Sequence, residues 1–182
     1  MRKSLKTILT TGALLLLPLT AQAGDRNSVQ AIRADVQCLA QNIYFEARGE
    51  PLEGKLAVGH VVLNRMADRR FPHKACSVIK QGGARKRHRC QFSWWCDGRS
   101  DRPSDDMAWQ ESMVLATLIK AGLIPDPTGG ALWYHANYVR PDWASRLNRS
   151  RKIGKHIFYV DADAVAASGS VPLQVANAET GS

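Results

Sequence analysis

The sequence predicts a predominantly helical α+β domain that carries a small β-hairpin. Apolar side chains recur at helical spacing through three segments, 28–47, 52–66 and 104–122. Two short β-prone runs follow late in the chain, Leu132-Trp133-Tyr134-His135 and Ile157-Phe158-Tyr159-Val160, and these are expected to pair as strands. The length suits a single core and shows no internal repeat.

The first 23 residues stand apart from that domain. Arg2, Lys3 and Lys6 precede a short apolar run over 8–19, and Ala21-Gln22-Ala23 supplies small residues ahead of Gly24. This is the pattern of a secretory leader, and the run falls short of the roughly 20 apolar residues of a membrane span. The expected division is a leader at 1–23, a catalytic domain at 24–160 and a flexible tail at 161–182, where Ala, Ser, Gly and Val leave little to bury. The formal net charge is +9, and loss of the three leader cations would leave +6. A basic exported chain favours anionic surroundings such as wall polymer, and export makes nucleic acid a poor partner. A monomer is expected, located in the periplasm or cell wall.

In the first helix Val29, Ile32, Val36, Leu39, Ala40 and Ile43 share the periodicity, and Gly49 stands where a left-handed C-terminal cap would fall. Pro51 is suited to opening the second helix, with Leu52, Leu56, Gly59, Leu63 and Met66 on one face. Ser104 is the expected cap of the third, with Asp105 and Asp106 in its first turn and Gly122 at its end. Val78-Ile79 is ambiguous. Residues 80–103 read as a long loop, basic over 82–89 and aromatic over 90–96, and 146–155 is a second basic stretch.

Four cysteines, Cys38, Cys76, Cys90 and Cys96, in an exported chain favour two disulfides, with three connectivities open. Pairing Cys76–Cys90 would close the basic loop, and Cys38–Cys96 would tie the first helix to the aromatic segment. Zinc is the alternative, although Cys90 and Cys96 lack the close spacing of a usual ligand pair. No cofactor or metal is expected.

The segment Asn42-Ile43-Tyr44-Phe45-Glu46-Ala47-Arg48-Gly49-Glu50 carries the chemistry. Glu46 and Glu50 are four apart, a spacing that on one helix puts β-carbons about 5–6 Å apart on one face. Paired glycosidase carboxylates approach their bond from different sides, so neighbours on one helix are poorly placed to flank it. Gly49 and Pro51 also suggest that the helix ends before Glu50. The two glutamates therefore have unequal roles. Burial beside Ile43 and Phe45 would raise the Glu46 pKa, as a general acid requires. Arg48 beside Glu46 would oppose this, whereas Arg48 paired with Glu50 would leave Glu46 free to hold a proton. Arg48 and Glu50 are thus structural support near the site.

Gln91-Phe92-Ser93-Trp94-Trp95 would form a sugar-binding wall, or alternatively a packed aromatic core. The five histidines show neither His-Glu-x-x-His nor His-x-His spacing, and no Gly-x-Ser-x-Gly is present. His135, beside Tyr134, is the histidine of most interest, with a hydrogen-bonded strand histidine as the plainer alternative.

Taken in order, Ala40-Gln41-Asn42-Ile43-Tyr44-Phe45-Glu46-Ala47-Arg48-Gly49-Glu50-Pro51, Gly54-Lys55-Leu56-Ala57-Val58, Val61-Val62-Leu63-Asn64-Arg65, Cys90-Gln91-Phe92-Ser93-Trp94, Ala131-Leu132-Trp133-Tyr134-His135-Ala136 and Ile153-Gly154-Lys155-His156-Ile157-Phe158-Tyr159 resemble the SleB/CwlJ-type cell wall hydrolases over about 36–160. The resemblance implies a lysozyme-like fold and cleavage of the β-1,4 bond between N-acetylmuramic acid and N-acetylglucosamine in peptidoglycan. It maps the family's essential acid onto Glu46. The four cysteines and the basic loop depart from the spore type. With one acid, the expected reaction is lytic transglycosylation, with Phe92, Trp94 and Tyr134 lining the cleft and Gln91, Ser93 and His135 as polar contacts. The alternatives are a hydrolytic muramidase helped by Asp97, Asp101 or Asp142, a zinc-dependent N-acetylmuramoyl-L-alanine amidase, and a non-catalytic wall-binding module.

Overall fold

A computed structural model describes residues 20–82 and 90–161, with backbone alone over 20–25. Most of the expected leader, the basic loop over 83–89 and the tail from 162 lie outside the described residues. Four α-helices come first: α1 (Thr20–Ala47), α2 (Leu52–Ala67), α3 (Ala75–Ile79) and α4 (Asp106–Lys120). Three strands follow, β1 (Trp133–Ala136), β2 (Asn148–Ile153) and β3 (His156–Val160), in the order β1-β3-β2. Both pairings are antiparallel, and β1 and β3 meet in the register Trp133↔Tyr159, Tyr134↔Phe158, His135↔Ile157.

The core explains the helical periodicity. Leu39 and Ile43 of α1, Val62 of α2, Val78 and Ile79 of α3 and Leu115, Ala116 and Ile119 of α4 form one buried cluster. A Cβ at Gly59 would stand 2.7 Å from Ile119 Cδ1 and 3.2 Å from Ile43 Cδ1, so the missing side chain lets α2 approach both neighbours. A second cluster seats α2 on the sheet through Ala57 and Val61 against Ile153, Phe158 and Val160. Tyr44 Oη accepts from the backbone N–H groups of Ser104 and Asp105 at 3.1 Å each, which fixes the start of α4 against α1.

Several local expectations are corrected. Asp105, not Ser104, caps α4: its side chain accepts from Ala108 N at 3.0 Å. Gly49 is not among the glycines of positive φ, because the chain leaves α1 through a turn closed by Glu50 N–H to Ala47 O at 2.9 Å. Pro51 stands one residue ahead of α2, at its N-cap. Residues 75–79 resolve as helix α3. The basic stretch near 150 contains β2, so the hairpin is β2–β3 within a three-stranded sheet. Its sequence hides it, because the strand is a charged edge with only Ile153 buried.

The disulfides also differ from the pairing expected. They are Cys38–Cys76 and Cys90–Cys96, with Cα separations of 5.2 and 6.1 Å. Asp35 of α1 accepts from Ala75 N at the start of α3, which brings Cys76 against α1. A 3-10 turn over Ser93–Cys96 curls the aromatic segment back, so Cys96 meets Cys90.

Candidate active site

Glu46 occupies the last turn of α1, where Ile43 and Ala47 are buried in or near the core and Arg48 emerges into solvent. The residue is half-buried. Burial raises its carboxyl pKa above the ordinary value, and a hydrogen bond from Tyr134 offsets this only in part. That bond runs from Tyr134 Oη to Glu46 Oε2 at 3.1 Å and joins strand β1 to helix α1. Burial holds the Tyr134 phenol well above its ordinary pKa, so it stays a donor across the working pH range.

An open cavity of about 500 Å³ lies over Glu46, bordered by Phe45, Ser93, Trp94, Asp97, Tyr138 and His156 among others. It continues past Glu46 into a second hollow of about 360 Å³ reaching Gly49, Glu50 and Lys155. A Cβ added at Gly49 would meet nothing within 4 Å, so that rim is open. Trp94 stacks on Phe45, with centroids 4.8 Å apart and planes at 19°, and its indole N–H donates to Asn42 Oδ1 at 3.0 Å. Asn42 lies one turn before Glu46, so the same helix carries the acid and orients the wall beside it.

The two glutamates make different contacts. Glu50 Oε2 accepts from Lys155 N at 2.8 Å and secures the turn between β2 and β3 to the α1–α2 junction. Arg48 pairs with neither glutamate. Its guanidinium lies 5.0 Å from the centre of the Tyr44 ring and reaches Tyr44 O at 3.4 Å.

The expected wall residues divide. Ser93 and Trp94 border the Glu46 cavity, and Tyr134 holds the acid from beneath. Phe92 is only 2% exposed and supports Tyr134 from the core, with ring centres 6.4 Å apart, so it does not line the cleft. Alternation along β1 turns His135 away from Glu46. His135 Nε2 instead lies 2.9 Å from Tyr159 Oη, and its ring stacks on Tyr159. Gln91 also lies apart from the acid, bordering two hollows that Tyr134 lines and Glu46 does not. Of Asp97, Asp101 and Asp142, Asp97 alone borders the Glu46 cavity.

His156 is a site residue that sequence reasoning did not single out. It is 8% exposed, borders both hollows beside Glu46 and sets its ring edge-on to Tyr134 at 5.0 Å. Burial lowers its pKa, which favours the neutral ring, while Glu50 pulls the other way. The available signal was its place in the Gly154-Lys155-His156 segment. Among the described residues no three His, Cys, Asp or Glu side chains converge as metal ligands.

Fold and site together define a small helical domain presenting a half-buried acid in an open, aromatic-walled cleft. The family model described as Cell Wall Hydrolase matches residues 49–159, and the chain belongs to this family. The spore cortex-lytic enzyme of Halalkalibacterium halodurans is 35% identical over 125 residues, 68% of this chain and 34% of that protein. The Bacillus subtilis spore cortex-lytic enzyme is 34% identical over the same length, covering 37% of its own. The chain thus matches well under half the length of these relatives. The catalytic domain of the germination-specific lytic transglycosylase SleB from Bacillus anthracis superposes with TM-score 0.54 at 31% identity, covering 69% of this chain and 93% of that domain. The Bacillus cereus SleB catalytic domain gives 0.53 at 30% identity, covering 70% and 91%. The lysozyme-like, predominantly helical α+β class expected from the sequence is the class of these domains.

Proposed function

We propose that this chain cleaves the β-1,4 bond between N-acetylmuramic acid and N-acetylglucosamine in peptidoglycan as a lytic transglycosylase, with Glu46 as both acid and base. The observation that carries this reading is the half-buried Glu46 carboxyl, kept protonation-prone by burial and held by Tyr134 at the floor of an open cleft.

Glu46 donates its proton to the glycosidic oxygen as the bond to muramic acid C1 breaks and positive charge develops there. The carboxylate so formed takes the proton of that sugar's own C6 hydroxyl, whose oxygen attacks C1 and closes the 1,6-anhydro ring. Glu46 ends protonated, ready for another cycle, and no water is consumed. Because the nucleophile is intramolecular, its effective concentration is high and no second base is needed to position water. Phe45, with the largely buried Trp94 stacked behind it, offers a flat wall for a sugar face, and Ser93 offers a hydroxyl beside it. Export after cleavage behind Ala23 fits the leader pattern, the two disulfides and a wall substrate.

Asp97 on the same cavity favours one other reading, hydrolysis by a held water. Mass spectrometry of digested wall separates the two. Anhydro-muramic ends from the wild type, absent with Glu46→Gln, are expected. Reducing ends without anhydro sugar, lost on Asp97→Asn, would replace transglycosylation with hydrolysis.

A further inference from the structure

Apart from the two hollows beside Glu46, and sharing none of their lining residues, lies a hollow of about 420 Å³, bordered by Arg65, Gln91, Trp133, Tyr134, Trp143 and Arg146. Arg65 is 1% exposed, yet among the described residues no carboxylate lies within ion-pair distance of it. Its Nε donates to Leu132 O at 2.7 Å. With the Gln91 amide turned so that its oxygen faces the guanidinium, Nη1 and Nη2 each donate to it at 3.1 Å. Phe71 and Phe92 lie against the guanidinium, 5.3 and 5.4 Å from its carbon. A guanidinium has five N–H groups, so each terminal nitrogen keeps one more to offer.

Leaving a buried cation without a counter-charge is costly, and burial lowers the Arg65 pKa to about 10. Arg146 adds a second, exposed guanidinium at the rim, also without a carboxylate partner among the described residues. Arg70, close by over Trp133, differs in being neutralised by Asp68 and Asp161. The hollow therefore combines two guanidinium groups that have no carboxylate partner among the described residues with two indole walls.

We propose that this hollow is a binding site for a carboxylate of the wall peptide, the branch carried by muramic acid, so that the chain grips the peptide here and the glycan in the Glu46 cleft. Two guanidinium groups without a carboxylate partner suit the charge of a carboxylate, and the indoles cover the aliphatic stem behind it. The identity of the ligand rests on the wall-cleaving reading; the preference for a carboxylate rests on Arg65 and Arg146.

Titration calorimetry on the full chain would use three soluble probes: N-acetylmuramyl-L-Ala-D-Glu with free carboxylates, its diamide, and N-acetylmuramic acid. The free dipeptide is expected to bind about tenfold more tightly than the diamide. Arg146→Ala, at an exposed position, should erase most of that difference, and Arg146→Lys should restore part of it. Equal binding of acid and diamide, or discrimination untouched in Arg146→Ala, would overturn the site. Tightest binding by N-acetylmuramic acid alone would overturn the peptide as source, because its carboxylate is the lactyl group itself. Discrimination in a chain that releases no wall fragments would uphold the site and count against the cleavage reading.

Discussion

Tyr134 and Glu46 are 88 residues apart in sequence and meet at 3.1 Å, phenol to carboxyl, where strand β1 crosses the last turn of α1. The contact sets two opposing influences on one group. Burial raises the Glu46 pKa and the phenol lowers it, and burial is the larger. A carboxyl that is both held in place and ready to keep its proton is what a lone general acid requires.

Replacing that acid should therefore trade activity for stability. Glu46→Gln is expected to lower wall-lytic activity by about 10²–10⁴-fold. A pKa raised on folding contributes stability that is present below the unfolded value near 4.5 and lost as pH rises through the folded value. Removing the ionisable group should thus raise the melting temperature at pH 7–8, with the gain shrinking toward pH 4. Melting curves across that range check it, and a variant less stable at every pH would contradict it.

Tyr134→Phe removes the one interaction that favours ionised Glu46. The acid must be protonated to act, so its ionisation sets the alkaline limb of the kcat/KM profile. That limb should move to higher pH, accompanied by a lower maximal rate as the carboxyl loses its anchor. A limb that shifts toward acid would show that some other group governs it.

The disulfides should contribute unequally. Cys38–Cys76 closes a separation of 38 residues and Cys90–Cys96 only 6. Loop-closure entropy predicts that losing the first costs about 4 kcal/mol and the second about 2 kcal/mol. Denaturant titration of the two double-serine variants measures the difference directly. The second pair also shapes the turn that carries Trp94, so its loss should weaken glycan cleavage more than global stability.

Glu50 and Gly154 form a coupled joint. Gly154 has φ +55°, and an added Cβ would collide with the Glu50 carboxylate, which already accepts from Lys155 N. Gly154→Ala and Glu50→Ala should each destabilise the chain by about 1–3 kcal/mol. The double variant should lose less than the sum, because shortening Glu50 removes the obstacle. Strict additivity in a double-mutant cycle would deny the coupling.

The residues that sequence reading placed well owe their positions to local periodicity. Leu39 and Ile43 are fully buried as α1 predicts, and the end of that helix near Gly49 separates Glu46 from Glu50. The same reading says nothing about which way a helix faces at its exposed end, and Val29 and Ile32 are largely exposed despite correct spacing. The aromatic segment is harder. Between Cys90 and Cys96 a 3-10 turn sends Phe92 and most of Trp94 inward and leaves Ser93 exposed at the cleft, and no linear pattern encodes that division.

The sequence by itself determined three of the four α-helices, α1, α2 and α4, and the two apolar strands, because 3.6-residue periodicity, β-branched and aromatic runs and helix-ending Gly and Pro act through near neighbours along the chain. Tertiary structure decided the disulfide pairing, the polar edge strand β2, the facing of Tyr134 toward Glu46 with His135 turned away, and the burial of Arg65. Each depends on which distant elements come into contact. That choice minimises exposed apolar surface over the whole domain, and no single segment contains it.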